Sequence, residues 1–190
     1  MLPPPDAAVP SLEFPRTVED YIGTMPLRLG VMCTIGPLRF TPFLAKLRMD
    51  FPGLKLAIVE GTPARLGAQL DAGALDLAVI AQPQAFPPRW SATALYRERF
   101  VVALPMGHAF VGRAAVRLAD IHGQDYVSRA SCEFAPYIDT LMAERGIDLN
   151  VVFESEREEW VQSMIVSGAG IACMPEHSPI LPGLVVRPMT

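Results

Sequence analysis

From Leu27 onward, short apolar runs alternate with amphipathic stretches, and this alternation constrains the fold of the 190-residue chain more than any other feature. "LRLGVM" reads as a strand, after which a Gly-Pro introduces a helix with Leu44, Leu47 and Phe51 on an apolar face. "KLAIV" (55–59) is a second strand, "PARLGAQLDAG" (63–73) a helix closed by Gly73, and "LDLAVIA" (75–81) a third strand. Strands that alternate with helices imply a parallel sheet with helices on its faces. After a proline-rich break at 86–89, "ATALY" and "RFVVALP" read as two crossover strands. A second cycle follows: a helical turn at "RLADI" (117–121), strand "DYVS", helix "EFAPYIDTLMAERG", strand "NVVFE" (150–154), helix "EREEWVQSMIVSG" and strand "GIACMP" (170–175). In the first of these helices Phe134, Tyr137, Ile138, Leu141 and Met142 recur at helical spacing up to Gly146. The expected class is α/β, with two Rossmann-like lobes over 27–100 and 101–175 joined by crossover strands. A ligand would lie between them, beyond the carboxyl ends of the strands.

Composition narrows the function. A chain that is 51% hydrophobic and 19% charged can bury sizeable cores. Its net charge of −4 and the lack of a Lys/Arg block give no footprint for a phosphate backbone, so direct nucleic-acid binding is not expected. Residues 1–26 carry prolines at 3, 4, 5, 10, 15 and 26 and read as an irregular tail, with one helical turn at Thr17 to Ile22. The tail has no basic-then-apolar leader pattern, and no later stretch approaches a membrane span, which predicts a cytoplasmic protein with no membrane partner. Cys33, Cys132 and Cys173 are far apart, without C-x-x-C spacing, and structural disulfides are not expected. His108, His122 and His177 are scattered, so no metal site is expected.

Enzymatic signatures are weak. Ser167-Gly168-Ala169-Gly170 runs from a helix into a strand, the reverse of a dinucleotide loop, and no G-x-S-x-G is present. Glu154, Glu156, Glu158 and Glu159 could suggest catalytic carboxylates. They read better as solvated charge at a helix start, behind an S-x-x-E capping box from Ser155 to Glu158. Trp160, Met164 and Ile165 read as core residues, and neither catalysis nor a cofactor is called for.

The order and spacing of "LRLGVMCTIGPLRFTPFLAKLRMDFPGLKLAIVEGT", "LGAQLDAGALDLAVIA", "LYRERFVVALPMGHAF", "RLADIHGQDYV", "WVQSMIVSGAGIACMPEHS" and "PGLVVRP" resemble the effector-binding domain of a LysR-type transcriptional regulator. "CTIGP" and "VSRASCEF" resemble the peroxide-responsive branch, where a threonine loop and a reactive cysteine occur. The resemblance implies two lobes like those of type 2 periplasmic solute-binding proteins, a small effector between them, and homodimers. DNA would be reached only through a winged helix-turn-helix that this sequence does not contain. It further implies that 176–190 is an incomplete return strand to the first lobe, with a further strand and helix normally following, so that apolar surface is left uncovered there.

The expected effector contacts are Cys33, Thr34, Thr62, Gln82, Ser131, Cys132 and Ser155. Cys33 to Gly36 lie between a strand and a helix with Pro37 as first residue, where free N–H groups would receive an electron-rich group. Thr34 can cap that helix or face a ligand, and the resemblance implies the second role. Glu60, Gly61 and Thr62 precede Pro63 in the same way, and Gln82 follows the third strand. Pro63 stands where the peroxide branch has a second threonine, and Ser155 matches a position that lines the cleft. Cys132 matches the reactive cysteine, with Arg129 near it. However, Ser131 replaces the usual histidine, no resolving cysteine lies between 132 and 146, and a C-terminal arginine of the family is outside this sequence. A disulfide would need Cys33 or Cys173, with Cys33 the better placed. For Cys132, thiol sensor, pocket wall and packing residue all remain open.

Overall fold

The computed structural model describes residues 26–190, so the expected tail and its helical turn fall outside the described residues. The first lobe is a three-stranded parallel sheet of β1 (Pro26–Met32), β2 (Lys55–Gly61) and β3 (Leu77–Val79), in the order β2-β1-β3. α1 (Pro37–Asp50) and α2 (Pro63–Asp71) provide the crossovers. Leu29, Val31 and Met32 of the central strand are buried, as is Leu66 of α2. α1 and the sheet edges are less covered, and Leu38, Met49, Ile58 and Leu77 are exposed.

The second lobe is built around β4 (Phe100–Pro105), which runs antiparallel to β7 (Ala172–Pro175) and β8 (Leu184–Pro188). β5 (Asp125–Arg129) and β6 (Asn150–Ser155) form a parallel pair, joined to this sheet by a bridge between Tyr126 and Ile171. α3 (Ala135–Glu144), α4 (Glu158–Val166) and a 3-10 turn at Leu118–Ile121 complete the lobe. Both faces of β4 are buried. Val102 and Leu104 join a core with Val116, Ile121 and Ile171, and Val101 and Ala103 join another with Val127, Val161 and Ile165.

Four expectations need correction. β8 pairs with β4, so the final strand belongs to the second lobe's sheet and not to the first. "ATALY" forms no strand: residues 91–97 lie exposed, and 91–99 have no regular secondary structure. The third strand shrinks to Leu77–Val79: among the described residues β3 pairs only with β1, and its outer edge has no partner. Trp160, expected in the core, is 55% exposed, since α4 turns Val161, Gln162 and Ile165 inward instead; Tyr137, on the apolar stripe of α3, is 58% exposed. No described helix is long and apolar enough to cross a membrane.

Candidate functional site

The carboxyl ends of β1 and β5 meet between the lobes. After β1 the chain turns through Cys33, Thr34 and Ile35 to Gly36, which is the N-cap of α1 but makes no side-chain cap. Thr34 is therefore free of capping duty. Its hydroxyl donates to Glu133 Oε1 at 2.9 Å, across to the loop that follows β5. The other oxygen of Glu133 accepts from Arg129 Nη2 at 2.6 Å, while Arg129 Nη1 donates to Cys33 Sγ at 3.1 Å. The Arg129 and Glu133 side chains are only 9% and 5% accessible. They form a buried ion pair that ties the β1 loop to the β5 loop.

A second seam supports the first. Ser178 is buried and donates to the Thr34 carbonyl at 2.7 Å. Gln162 of α4 donates to the Ser178 carbonyl at 2.8 Å and accepts from the N–H groups of Ile180 and Leu181. A methyl group on Gly36 would lie 2.2 Å from the His177 carbonyl oxygen, so only glycine permits this approach. Gly170 is needed for a like reason, because a Cβ there would lie 2.5 Å from the Asp125 carbonyl oxygen. That steric need accounts for Gly170, and Gly168 holds a φ of 88°, so neither glycine calls for a phosphate.

A cavity of about 30 Å³ remains beside the ion pair, lined by Thr34, Arg129, Cys132, Glu133, Glu158 and Cys173 among others. That is space for about one water. Burial pushes the Cys132 thiol above its ordinary pKa, against the opposing pull of the Phe134 N–H and Arg129. Burial also pushes the Cys173 thiol up, to about 12. Glu158 is also raised by burial, so it is not the solvated helix-start charge expected of it. The capping box does not form either: Arg157 is the N-cap of α4, and Ser155 Oγ accepts from the Arg157 N–H instead.

Of the seven expected contacts, Cys33, Thr34 and Cys132 converge on this site. Thr62 instead caps α2, accepting from the Arg65 N–H at 3.4 Å, and Gln82 bonds the carbonyls of Gln84 and Ala85 in its own turn. Ser131 is exposed, in a left-handed conformation with φ 57°, and Ser155 is taken up by Arg157. Glu133, Gln162 and Ser178 were not expected from the sequence, and Glu158 was expected only as solvated charge at a helix start. Glu133 was within reach of the sequence, because Arg129 and Glu133 form an Arg-x-x-x-Glu spacing around Cys132. Among the described residues no cluster has the makings of a metal site. A second, larger concavity of about 800 Å³ runs along β3 and the 90–99 segment, lined by Leu77, Val79, Trp90, Leu95 and Phe134 among others.

Residues 24–190 match the family described as the LysR substrate binding domain. The chain belongs to that family. The transcriptional regulator OxyR of Escherichia coli (strain K12) is 28% identical over 156 residues, 79% of this chain and 49% of that protein. The chain thus spans about half the length of such curated relatives. Among solved structures, the reduced regulatory domain of OxyR from Pseudomonas aeruginosa is 25% identical with a TM-score of 0.74, over 89% of this chain and 84% of that one. HinK, a LysR family transcriptional regulator from the same organism, shares the fold at a TM-score of 0.77 and 24% identity, over 89% of this chain and 60% of that one. The LysR substrate-binding fold, type 2 periplasmic-binding-like, is therefore that of this chain, and the site lies between its two lobes.

Proposed function

We propose that this chain is the effector-sensing and dimerisation domain of a LysR-type transcriptional regulator, acting by binding and not by catalysis. A small polar or anionic molecule enters between the lobes and shifts the balance of two lobe arrangements, and a winged helix-turn-helix in the full protein carries that shift to DNA in the cytoplasm. The observation that carries this reading is the buried Thr34–Glu133–Arg129 bridge, which ties the carboxyl ends of β1 and β5 together at one polar point. Exposed Leu38, Phe43 and Met49 on α1 and Tyr137 on α3 support a homodimer contact through these helices. Sedimentation at high concentration is expected to give dimers, and a persistent monomer would refute that part.

The test of sensing is thermal melting of the domain against a panel of small carboxylates and aromatic acids, with a parallel peroxide titration of wild type and Cys132→Ser. A panel member that raises the melting temperature of both proteins establishes the effector pocket. A shift with peroxide in wild type alone would favour a second reading on the same fold, a thiol sensor through Cys132 with Cys33 as its partner. One contact favours that alternative: Arg129 donates to the Cys33 sulfur, and its charge also bears on Cys132. The raised pKa of Cys132 opposes it, because the thiolate is the reactive form.

A further inference from the structure

We propose that Glu133 is a tethered occupant of the effector's anion subsite, and that a carboxylate-bearing effector binds by displacing it from Thr34 and Arg129. The inference rests on the effector-sensing reading and names the class of ligand. Its basis is that the Glu133 carboxylate already makes the contacts a bound acid would make. One oxygen accepts from a hydroxyl of the first lobe at 2.9 Å and the other from a guanidinium of the second at 2.6 Å.

Space and charge both make Glu133 and a second carboxylate exclusive. The residual cavity of about 30 Å³ holds little more than a water. Arg129 is the only cation among the described residues that line it, and it already faces two carboxylates, Glu133 and Glu158. A third anion would find no free cation and would meet like charge in a poorly solvated site. Exchange avoids both costs, because the incoming carboxylate inherits donors already held in place, Arg129 by its contact with Cys33 and the Thr34 backbone by Ser178.

The loop is built to let Glu133 leave. It belongs to the irregular segment 130–134 between β5 and α3, where Ser131 adopts a φ of 57° that a non-glycine residue rarely holds. Buried ion pairs are also poor sources of net stability, since desolvation offsets most of their attraction, so stability alone does not account for this one. An occupant that must first be displaced lowers the apparent affinity of an effector by the fraction of time the subsite is open. It sets a threshold concentration, and its departure moves the segment that leads into α3.

Glu133→Ala removes the atoms of an acetate ion while leaving Thr34 and Arg129, so acetate is the probe. Melting temperature is followed against acetate in wild type and Glu133→Ala, with acetamide and chloride as the neutral and ionic-strength controls. The expected result is saturable stabilisation of Glu133→Ala by acetate, at a midpoint at least about tenfold below any wild-type response, with neither control acting. Adding Thr34→Val to the variant should weaken the rescue. Equal acetate responses in the two proteins, or none in the folded variant, would overturn the proposal. Should Glu133→Ala not fold, Glu133→Gln is measured against panel acids that bind wild type: tighter binding supports displacement, and unchanged or weaker binding refutes it. Acids that bind wild type while acetate fails in the variant would sink the subsite and leave effector sensing intact. Acetate rescue with no panel acid binding wild type would support the subsite and count against sensing.

Discussion

Gly36 is a position at which a single carbon has a defined cost. Its Cβ would meet two backbone atoms of His177, at 2.2 and 3.2 Å, and backbone cannot rotate aside as a side chain can. Gly36→Ala should therefore push the β1 loop off the 177–178 segment, strain the Ser178–Thr34 bond, and cost about 1–3 kcal/mol in urea denaturation. An unchanged midpoint would mean that the two loops do not hold each other. Glu158 offers a test through pH. Burial raises its carboxyl above the ordinary 4.5, so the folded chain holds that proton more tightly than the unfolded one. Its contribution is full below pH 4.5 and is lost as pH rises through the folded value. Glu158→Gln keeps an acceptor for Gln162, and should be more stable than wild type at pH 7, with the advantage shrinking as pH falls toward 4.5. Asp71, Asp76 and Asp120 run the other way: their arginine partners hold them at about 2, so their stabilisation fades only below pH 3.8, outside this window. Thr34 and Cys132 were legible in the sequence because each sits in a recognisable phrase. Glu158 was not, because its S-x-x-E context offered a complete local explanation while the real partners, Arg129 and Gln162, come from elsewhere in the fold and the next turn of α4.

At the scale of elements, the sequence conveyed strand and helix identity well and pairing poorly. "LVVRP" is a strand by its β-branched residues, but nothing local says whether its backbone bonds β4 or the first sheet, and it bonds β4. "ATALY" shows the converse, strand-forming residues that lie exposed and take no regular structure. The 176–183 segment between β7 and β8 has no regular structure of its own and depends on α4. Gln162, 2% exposed, accepts from the Ile180 and Leu181 N–H groups at 3.0 and 3.1 Å and donates to the Ser178 carbonyl. Gln162→Leu would leave those backbone groups without partners at a cost of about 1–3 kcal/mol. Hydrogen exchange at Ile180 and Leu181 should accelerate well beyond that at β4, and equal acceleration in both places would show that α4 does not organise the segment separately.

The two lobes are unequally built, and this bears on how the whole molecule responds to a ligand. In the second lobe Val102, Ala103 and Leu104 of β4 are fully buried, enclosed by cores on both faces. In the first, β2 and β3 leave Ile58 52% and Leu77 55% exposed on a sheet of three strands. Exposed ion pairs such as Arg28–Asp76 and Arg89–Asp71 add little to hold that lobe together, because solvent screens them. The first lobe should therefore open while the second remains folded: amides of β2 and β3 exchange first, β4 last, with protection in two groups instead of one. An effector that takes the place of Glu133 between Thr34 and Arg129 keeps the lobes linked there, and because it binds only while the two donors face each other it acts against that opening. It is expected to slow exchange in β1 to β3 by a larger factor than in β4, by an amount that grows with ligand concentration. Uniform slowing across both sheets would mean that the chain unfolds as one unit, and that signalling by a change in lobe arrangement would need a motion other than release of the first lobe.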